Sequence, residues 1–567
     1  MAKANSAPRR GTRRTPPSWA AKPFGRRRLL AGAGALGLGL ALTGCGDDDD
    51  EDPAEPTPGN GADPDQPTPT PAGPVRGGTL EILAASTPMH YDQHQMAGID
   101  GDGRVYNQLF KLGSGQEVLP DLAEGYETPE PNVYVFSMRQ DVNFHDLPPV
   151  NGRKLTAEDV AFTVERSRTP EPEFTNRWMW MTLDSLDAID EHTLQATFQV
   201  PFAPAIHHFS AASMGVIAHE VVEEFGDLKD ARSRIGSGPF MLEEARRDEM
   251  LHYVRNPGYF DPELPYLDEI RVTAIPDRMA RIVQLRTGDA DLLGFHRGIV
   301  DIDEPARGVD DVNVEMRPYD SASVLAFNHA VEPFGDERVR QAISRAIDAH
   351  SLIRAAGGDE GGVLRGLTHP NGPPFALPES ELEEFLRQDM QEAAALLDAA
   401  GHGDGFETSV TVFSTDTTGI DIVSVIAQEL DSLGIRLNID AQEPASYMRK
   451  LMERTFELVW VGDWTPALDP AQQYFGSLRT DAAQNWWNAS DAELDQLIDR
   501  QIIELDTEVR ASMIQDLERM NFEKVIALPL FAMNGWTAWK DHVQGYDYLR
   551  ALQNARAWQD CEIWLDH

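Results

Sequence analysis

The chain has 567 residues, with 93 Asp or Glu against 49 Lys or Arg and a formal net charge of −44. That balance excludes nucleic acid as a partner, because phosphate binding rests on neutralisation by basic groups, and it excludes adhesion to an anionic membrane surface. A hydrophobic share of 41% excludes a polytopic membrane protein, and the length supports several domains with large cores.

Residues 1–44 carry nine Lys or Arg and no acid. Arg26-Arg27-Arg28 leads into the apolar run Leu29 to Leu42, and Thr43-Gly44-Cys45 follows. The run is about 14 residues long, short of the roughly 20 that a membrane-spanning helix needs. The order of basic, apolar and small residues before a cysteine predicts a cleaved signal peptide over 1–44 with lipid attachment at Cys45. Gly25 to Leu30 resembles a twin-arginine signal, and Sec export is the alternative. The expected location is extracytoplasmic, with the protein lipid-anchored to the outer face of the cell membrane.

Residues 45–75 open on Asp47-Asp48-Asp49-Asp50-Glu51-Asp52 and continue rich in Pro, Thr, Gly and Asp. This composition predicts an extended, acidic tether. The unbroken acid run lacks the turn-forming glycine of a calcium loop. With Cys45 lipidated, Cys561 is left alone, so no intramolecular disulfide forms and Cys561 reads as a small buried apolar residue.

The folded body starts near Arg76. Gly77 to Leu83 reads as a first strand, and the loop after it contains Pro88, His90, Tyr91 and His94. In α/β sheets ligands collect beyond the carboxyl ends of strands, so His90 and Tyr91 are candidate binding residues. The spacing of His90 and His94 and the adjacency of His207 and His208 raise metal binding. Pro88 and Gly98 favour a loop, so no metal site is assigned. Val133 to Met138 and Thr193 to Val200 read as strands, the latter with Leu194, Ala196, Phe198 and Val200 on one face. Thr156-Ala157-Glu158-Asp159 predicts a capped helix start. Gly236 to Phe240 lacks the Lys-Ser/Thr of a phosphate loop and reads as a turn connecting lobes.

Later segments follow helical and strand periods. Asp336 to Asp348 carries Val339, Ile343 and Ile347 at helical spacing, and a helix over Gln391 to Ala400 stops at Gly401. Ser409 to Phe413 reads as a strand. Ile422, Ile426, Leu430 and Leu433 then line one face of a helix that Gly434 ends. Ile435, Leu437 and Ile439 form a further half-buried strand, completing a parallel βαβ unit. The expected class is α/β with mixed sheets.

From Gly77 onward the chain resembles the extracellular solute-binding proteins of family 5, the peptide- and nickel-type receptors of ABC importers. Gly77-Gly78-Thr79-Leu80 is similar to the family's opening strand. Met138 to Asp146 followed by Leu155-Thr156-Ala157-Glu158-Asp159-Val160 is similar to its next signature, with a departure at Leu147 to Lys154. Gly236-Ser237-Gly238-Pro239-Phe240, Arg255 to Tyr259, Pro265 to Asp268 and Thr287 to Asp291 follow in order. Phe327-Asn328-His329, Pro333 to Ile343 and Ala489 to Ile498 complete the series.

The resemblance implies a two-lobe periplasmic-binding-protein-like fold of type II, in its large class, with a hinge and an extra subdomain. Lobe 1 is expected at 77–320 with the subdomain at about 107–195. Lobe 2 is expected at 321–524, and 525–567 returns to lobe 1. The implied role is capture of an oligopeptide or similar solute in the interlobe cleft and delivery to a permease with its ATPase, by a monomer that needs no cofactor and is not an enzyme. A metal chelate or an oligosaccharide is the alternative solute, and an exported hydrolase the alternative class. Peptide binders of the family hold the ligand ammonium with a carboxylate in a W-x-(G/A)-D segment, which Trp460-Val461-Gly462-Asp463 matches. Asp463 is therefore the expected anchor and Asp469 its rival, with Trp460 and Trp464 packing on the ligand.

Overall fold

The computed structural model describes residues 73–95, 102–113, 117–171, 174–297, 304–318, 321–358, 361–368, 374–464, 469–482, 484–547 and 558–566. The signal, Cys45 and the tether as far as residue 72 lie outside these residues. Among the described residues no helix is long and apolar enough to cross a membrane.

The strand Ala527–Lys540 organises the fold because its two halves pair in different lobes. Its first half runs antiparallel to Ala322–Phe327, with Ala326 opposite Ala527 and Ser323 opposite Phe531. Its second half pairs with Val312–Pro318 and Leu292–Arg297, and Gly535 lies opposite both Arg317 and Arg297. Covered on both faces, the strand reads as a near-continuous apolar run, Ala-Leu-Pro-Leu-Phe-Ala-Met, rather than an alternating one. On the shared strand the lobe-2 partners reach Met533 and the lobe-1 partners begin at Asn534, opposite Pro318, so the lobes meet there.

The lobe-1 sheet continues from the shared strand through Leu292–Arg297, Thr79–Ala84, Glu269–Ala274, Met250–Arg255 and Phe240–Arg246. Thr79–Ala84 is parallel to both of its neighbours. The lobe-2 sheet continues through Ala322–Phe327, Leu458–Trp464, Glu407–Phe413 and Arg436–Gln442. The last three are mutually parallel, with Val410 opposite Leu458 and Ile439. A separate antiparallel sheet of Ala123–Glu130, Val133–Met138, Thr193–Phe198 and Leu183–Asp190 forms the extra subdomain. The fold is thus mixed α/β in two lobes.

Local chemistry explains these elements. The βαβ unit is present: Ile422, Ile426 and Leu430 of helix Thr417–Asp431 are fully buried, and Gly434 takes a positive φ of 75° at the stop. In helix Ala157–Ser167 the Thr156 amide donates to Asp159 Oδ2 at 2.9 Å, closing a capping box. Cys561 is buried, and burial pushes its thiol up to about 12.

Four local expectations change. The strand from Thr193 ends at Phe198, so Val200 is exposed just before Pro201. Ile439 is also exposed, because its strand forms the sheet edge. The helix expected over Asp336 to Asp348 is Glu337–Ala346. Ile347 is extended, and the Asp348 carboxylate caps a new helix, Ala349–Gly357, by accepting from His350 N.

The fourth change concerns Gly236 to Phe240, which does not connect the lobes. It lies inside lobe 1, where Gly238 N donates to Val105 O at 2.8 Å and His145 N donates to Gly236 O at 2.7 Å. Gly236 N donates back to His145 Nδ1 at 3.3 Å, which leaves Nε2–H to donate to Gly238 O at 3.1 Å. His145, within the second signature, therefore pins the turn. The departure at Leu147 to Lys154 is a loop with Asp146, Pro148, Asn151 and Lys154 exposed.

Candidate functional site

Register places the carboxyl ends of both sheets at the interlobe crossing. Leu292–Arg297 ends opposite Gly535, and the parallel strand Thr79–Ala84 therefore points the loop 85–95 the same way. In lobe 2, Trp464 lies opposite Ala322, at the start of the first lobe-2 strand after the crossing. Leu458–Trp464 and its parallel neighbour Glu407–Phe413 thus also end at the crossing. Carboxyl ends of parallel strands are where α/β proteins bind solutes. The loops after Ala84, Phe413 and Trp464 are consequently the candidate binding segments.

Asp463 and Trp464 terminate the strand that reaches this edge, and their side chains lie outside the described ones. Trp460, on the same strand, is 1% exposed and enclosed by its own lobe, with its ring near Phe531. Its indole lies beside Gly419 and Gly462, where a Cβ would come within 2.9 and 3.1 Å of Nε1. In lobe 1, His90 is half-buried and its Nδ1 accepts from Asp92 N at 3.3 Å. Tyr91 is buried, and burial raises its hydroxyl despite the Arg234 guanidinium 5.9 Å from the ring.

The segment beneath Tyr91 is built on charge. Asp92 accepts from Arg166 at 2.5 and 2.9 Å, and His94 Nδ1 lies 2.7 Å from the same guanidinium. Arg234 donates to Asp102 at 2.5 Å, and Tyr253 donates to the same carboxylate at 3.0 Å. His94 is therefore committed to its own lobe rather than to an ion shared with His90. Among the described residues no group of three or more His, Cys, Asp or Glu is arranged to hold a metal.

Asp469, the rival anchor, is 1% exposed and bidentate with Arg510 at 2.5 and 2.6 Å. Burial alone would raise its carboxyl, but the Arg510 guanidinium overrides that and holds it well below the usual carboxylate range. The pair sits where the lobes touch. His207 Nδ1 of the lobe-1 helix Ala205–Phe209 lies 3.8 Å from Asp469 Oδ2. Ala203 N donates to Ile502 O at 2.9 Å. Ala471 and Ile502 of lobe 2 join the lobe-1 apolar cluster that includes Trp178, Phe202 and Phe209. Nothing in the sequence signals this seam, because Asp469 and Arg510 are separated by 41 positions and no motif contains either contact.

Three buried histidines and the half-buried His329 give the body an acid liability. Burial pushes His145 and His208 down to about 4. Burial together with Arg340 does the same for His329, and burial together with Arg166 lowers His94 to about 3. A histidine lowered from 6.5 favours the fold fully above pH 6.5 and loses that contribution as pH falls toward the folded value. Each costs roughly 2 kcal/mol by pH 5, since one pKa unit is about 1.4 kcal/mol. Urea midpoints should therefore fall between pH 7 and pH 5. His145→Gln should reduce that fall, because an amide does not titrate; an unchanged slope contradicts the assignment.

Comparison with known proteins agrees with this geometry. A family model described as "Bacterial extracellular solute-binding proteins, family 5 Middle" matches residues 117–486. Heme-binding protein A of Haemophilus influenzae is 24% identical over 473 residues, covering 78% of this chain and 84% of that protein. The periplasmic binding protein AgaA of A. tumefaciens R10, solved with agropinic acid, superposes with a TM-score of 0.75 at 22% identity, covering 86% of this chain and 99% of the other. DppA of Helicobacter pylori, solved with the peptide STSA, gives a TM-score of 0.74 at 21% identity, with 87% and 99% covered.

Proposed function

The chain belongs to the bacterial extracellular solute-binding proteins of family 5, and we propose that it captures a peptide with a free amino terminus between its lobes for an ABC permease. It is a binding protein and not an enzyme. The observation that carries the peptide reading is the position of Trp460-Val461-Gly462-Asp463: the strand that bears it ends at the interlobe crossing, opposite Ala322. A carboxylate there binds an ammonium strongly once closure excludes water, because a charge-assisted bond then escapes screening. The rival Asp469 already has a guanidinium on both oxygens, which favours Asp463. His90 and Tyr91 form the facing wall in this reading, and Trp464 packs on the peptide. DppA, solved with a peptide, supports the same solute class. Release of the solute unaltered to the permease and its ATPase, anchorage through a lipid on Cys45, and a monomeric body complete the proposal.

Asp463→Asn is the direct test. Calorimetric titration with a tripeptide and with its N-acetylated form should show at least a tenfold loss for the free amine and little change for the acetylated peptide, as expected for a lost charged hydrogen bond. Equal losses for the two peptides remove Asp463 from the anchor role.

A further inference from the structure

Two carboxylates in or just after the candidate binding loops already hold a guanidinium: Asp92 takes Arg166, and Asp469 takes Arg510. Asp416 does not follow them. It ends the loop after Phe413 and caps helix Thr417–Asp431, where Gly419 N donates to its Oδ1 at 2.9 Å. That bond occupies one oxygen. The side chain is half-buried, yet among the described residues no Lys, Arg or His pairs with Oδ2.

Oδ2 turns toward the strand that carries Trp460-Val461-Gly462-Asp463. A Cβ at Gly462 would stand 2.9 Å from it and 3.1 Å from Trp460 Nε1. The indole N–H is a second unfilled group: Trp460 is 1% exposed, and Nε1 has no hydrogen-bond partner. An acceptor and a donor thus converge on the strand end without bonding each other, and buried polar groups in that condition call for an explanation. The wall behind them is aromatic and fixed. Phe413 stacks on Tyr447 with ring centroids 3.8 Å apart, and the Tyr447 hydroxyl donates to Trp460 O at 2.9 Å. Gly462 precedes Asp463, so the Asp416 carboxylate stands within about 8 Å of the Asp463 backbone.

A carboxylate drawn out of water without a cation is costly to keep. Loops 85–95, 414–416 and 465–468 contain no Lys or Arg to neutralise it. We infer that Asp416 is a second anionic anchor, which takes the side-chain cation of a peptide whose first residue is lysine or arginine while Asp463 takes the amino terminus. An extended lysine holds its two nitrogens roughly 7 Å apart, which suits two carboxylates at this spacing. The inference rests on the peptide-capture reading above and adds to it a preference by charge at the first side chain.

The test is calorimetric titration of the dialysed protein with Lys-Ala-Ala and with norleucine-Ala-Ala, which has the same stem without the ammonium. The parent should bind the lysine peptide about tenfold more tightly, the scale of one charge-assisted hydrogen bond. Asp416→Asn keeps a capping oxygen for Gly419 N and removes the charge. It should bring the two peptides to within about twofold of each other. Asp416→Ser, which also caps a helix without charge, repeats the comparison. Asp463→Asn should weaken both peptides together and leave the lysine preference in place. Loss of the preference in either folded Asp416 variant supports the second anchor. Binding of neither tripeptide to the parent overturns the capture reading and this inference with it. Equal binding of both by the parent, or a preference that survives in both Asp416 variants, overturns this inference alone.

Discussion

Arg510→Met should destabilise the protein by about 3–5 kcal/mol, the cost of leaving one partner of a buried ion pair unpaired. Asp469 is 1% exposed and, among the described residues, keeps without Arg510 the Ala471 amide at 2.8 Å and the distant His207 ring. The variant also frees Gln501, which holds the same guanidinium at 3.1 Å through Oε1. Urea unfolding at pH 7 measures the loss. The pH dependence gives a second signature. In the parent the Asp469 carboxyl is depressed, so its contribution is full above the ordinary carboxylate range and is lost only in strong acid. In the variant burial is unopposed and the carboxyl rises, so the difference from the parent should shrink as pH falls. Adding Asp469→Asn should recover part of the loss. A loss under about 1 kcal/mol would mean that water reaches the pair and that the lobes do not seal it.

Gly236→Ala should cost about 3 kcal/mol or more, or prevent folding, because the new methyl meets backbone that cannot retreat. A Cβ at Gly236 would clash with the Val105 carbonyl oxygen and come within 2.6 Å of the Tyr106 ring. The Val105 oxygen is held by Gly238 N, and the Gly236 peptide is held on both sides by His145. Gly125→Ala serves as the control, since a Cβ there meets nothing within 4 Å. Thermal unfolding of the two variants should separate them widely. Equal stability would show that the turn yields, and that its glycines are needed for something other than close packing.

Sequence period and capping chemistry were sufficient where an element is decided locally. Ile422, Ile426 and Leu430 fall on one buried stripe, and Thr156 with Asp159 closes the expected box. Local patterns failed where a neighbour decides the outcome. Ile439 has the right alternation but stands on an edge strand, and Gly236 to Phe240 looks like a connector while packing against Val105. The site divides in the same way. The motif ending at Asp463 locates a strand end, yet it does not say which side chains the strand turns inward, and Trp460 is enclosed by its own lobe. His207 and His208 are adjacent, and their sequence does not say what each meets: the first faces Asp469 and the second bonds Met179 O. Asp469, Arg510 and His207 meet only after two lobes and a subdomain have assembled, so no window of sequence contains the seam.

The central claim is that the body closes on a peptide and lets it go intact. Incubating the dialysed protein with a defined peptide mixture, isolating the complex, and weighing what denaturation releases by mass spectrometry tests it directly. The account predicts that peptides with free amino termini are retained at unchanged mass, that N-acetylated copies are left behind, and that the interlobe distance shortens in the same samples. Retention of no peptide, or recovery of fragments in place of the peptides supplied, would contradict it.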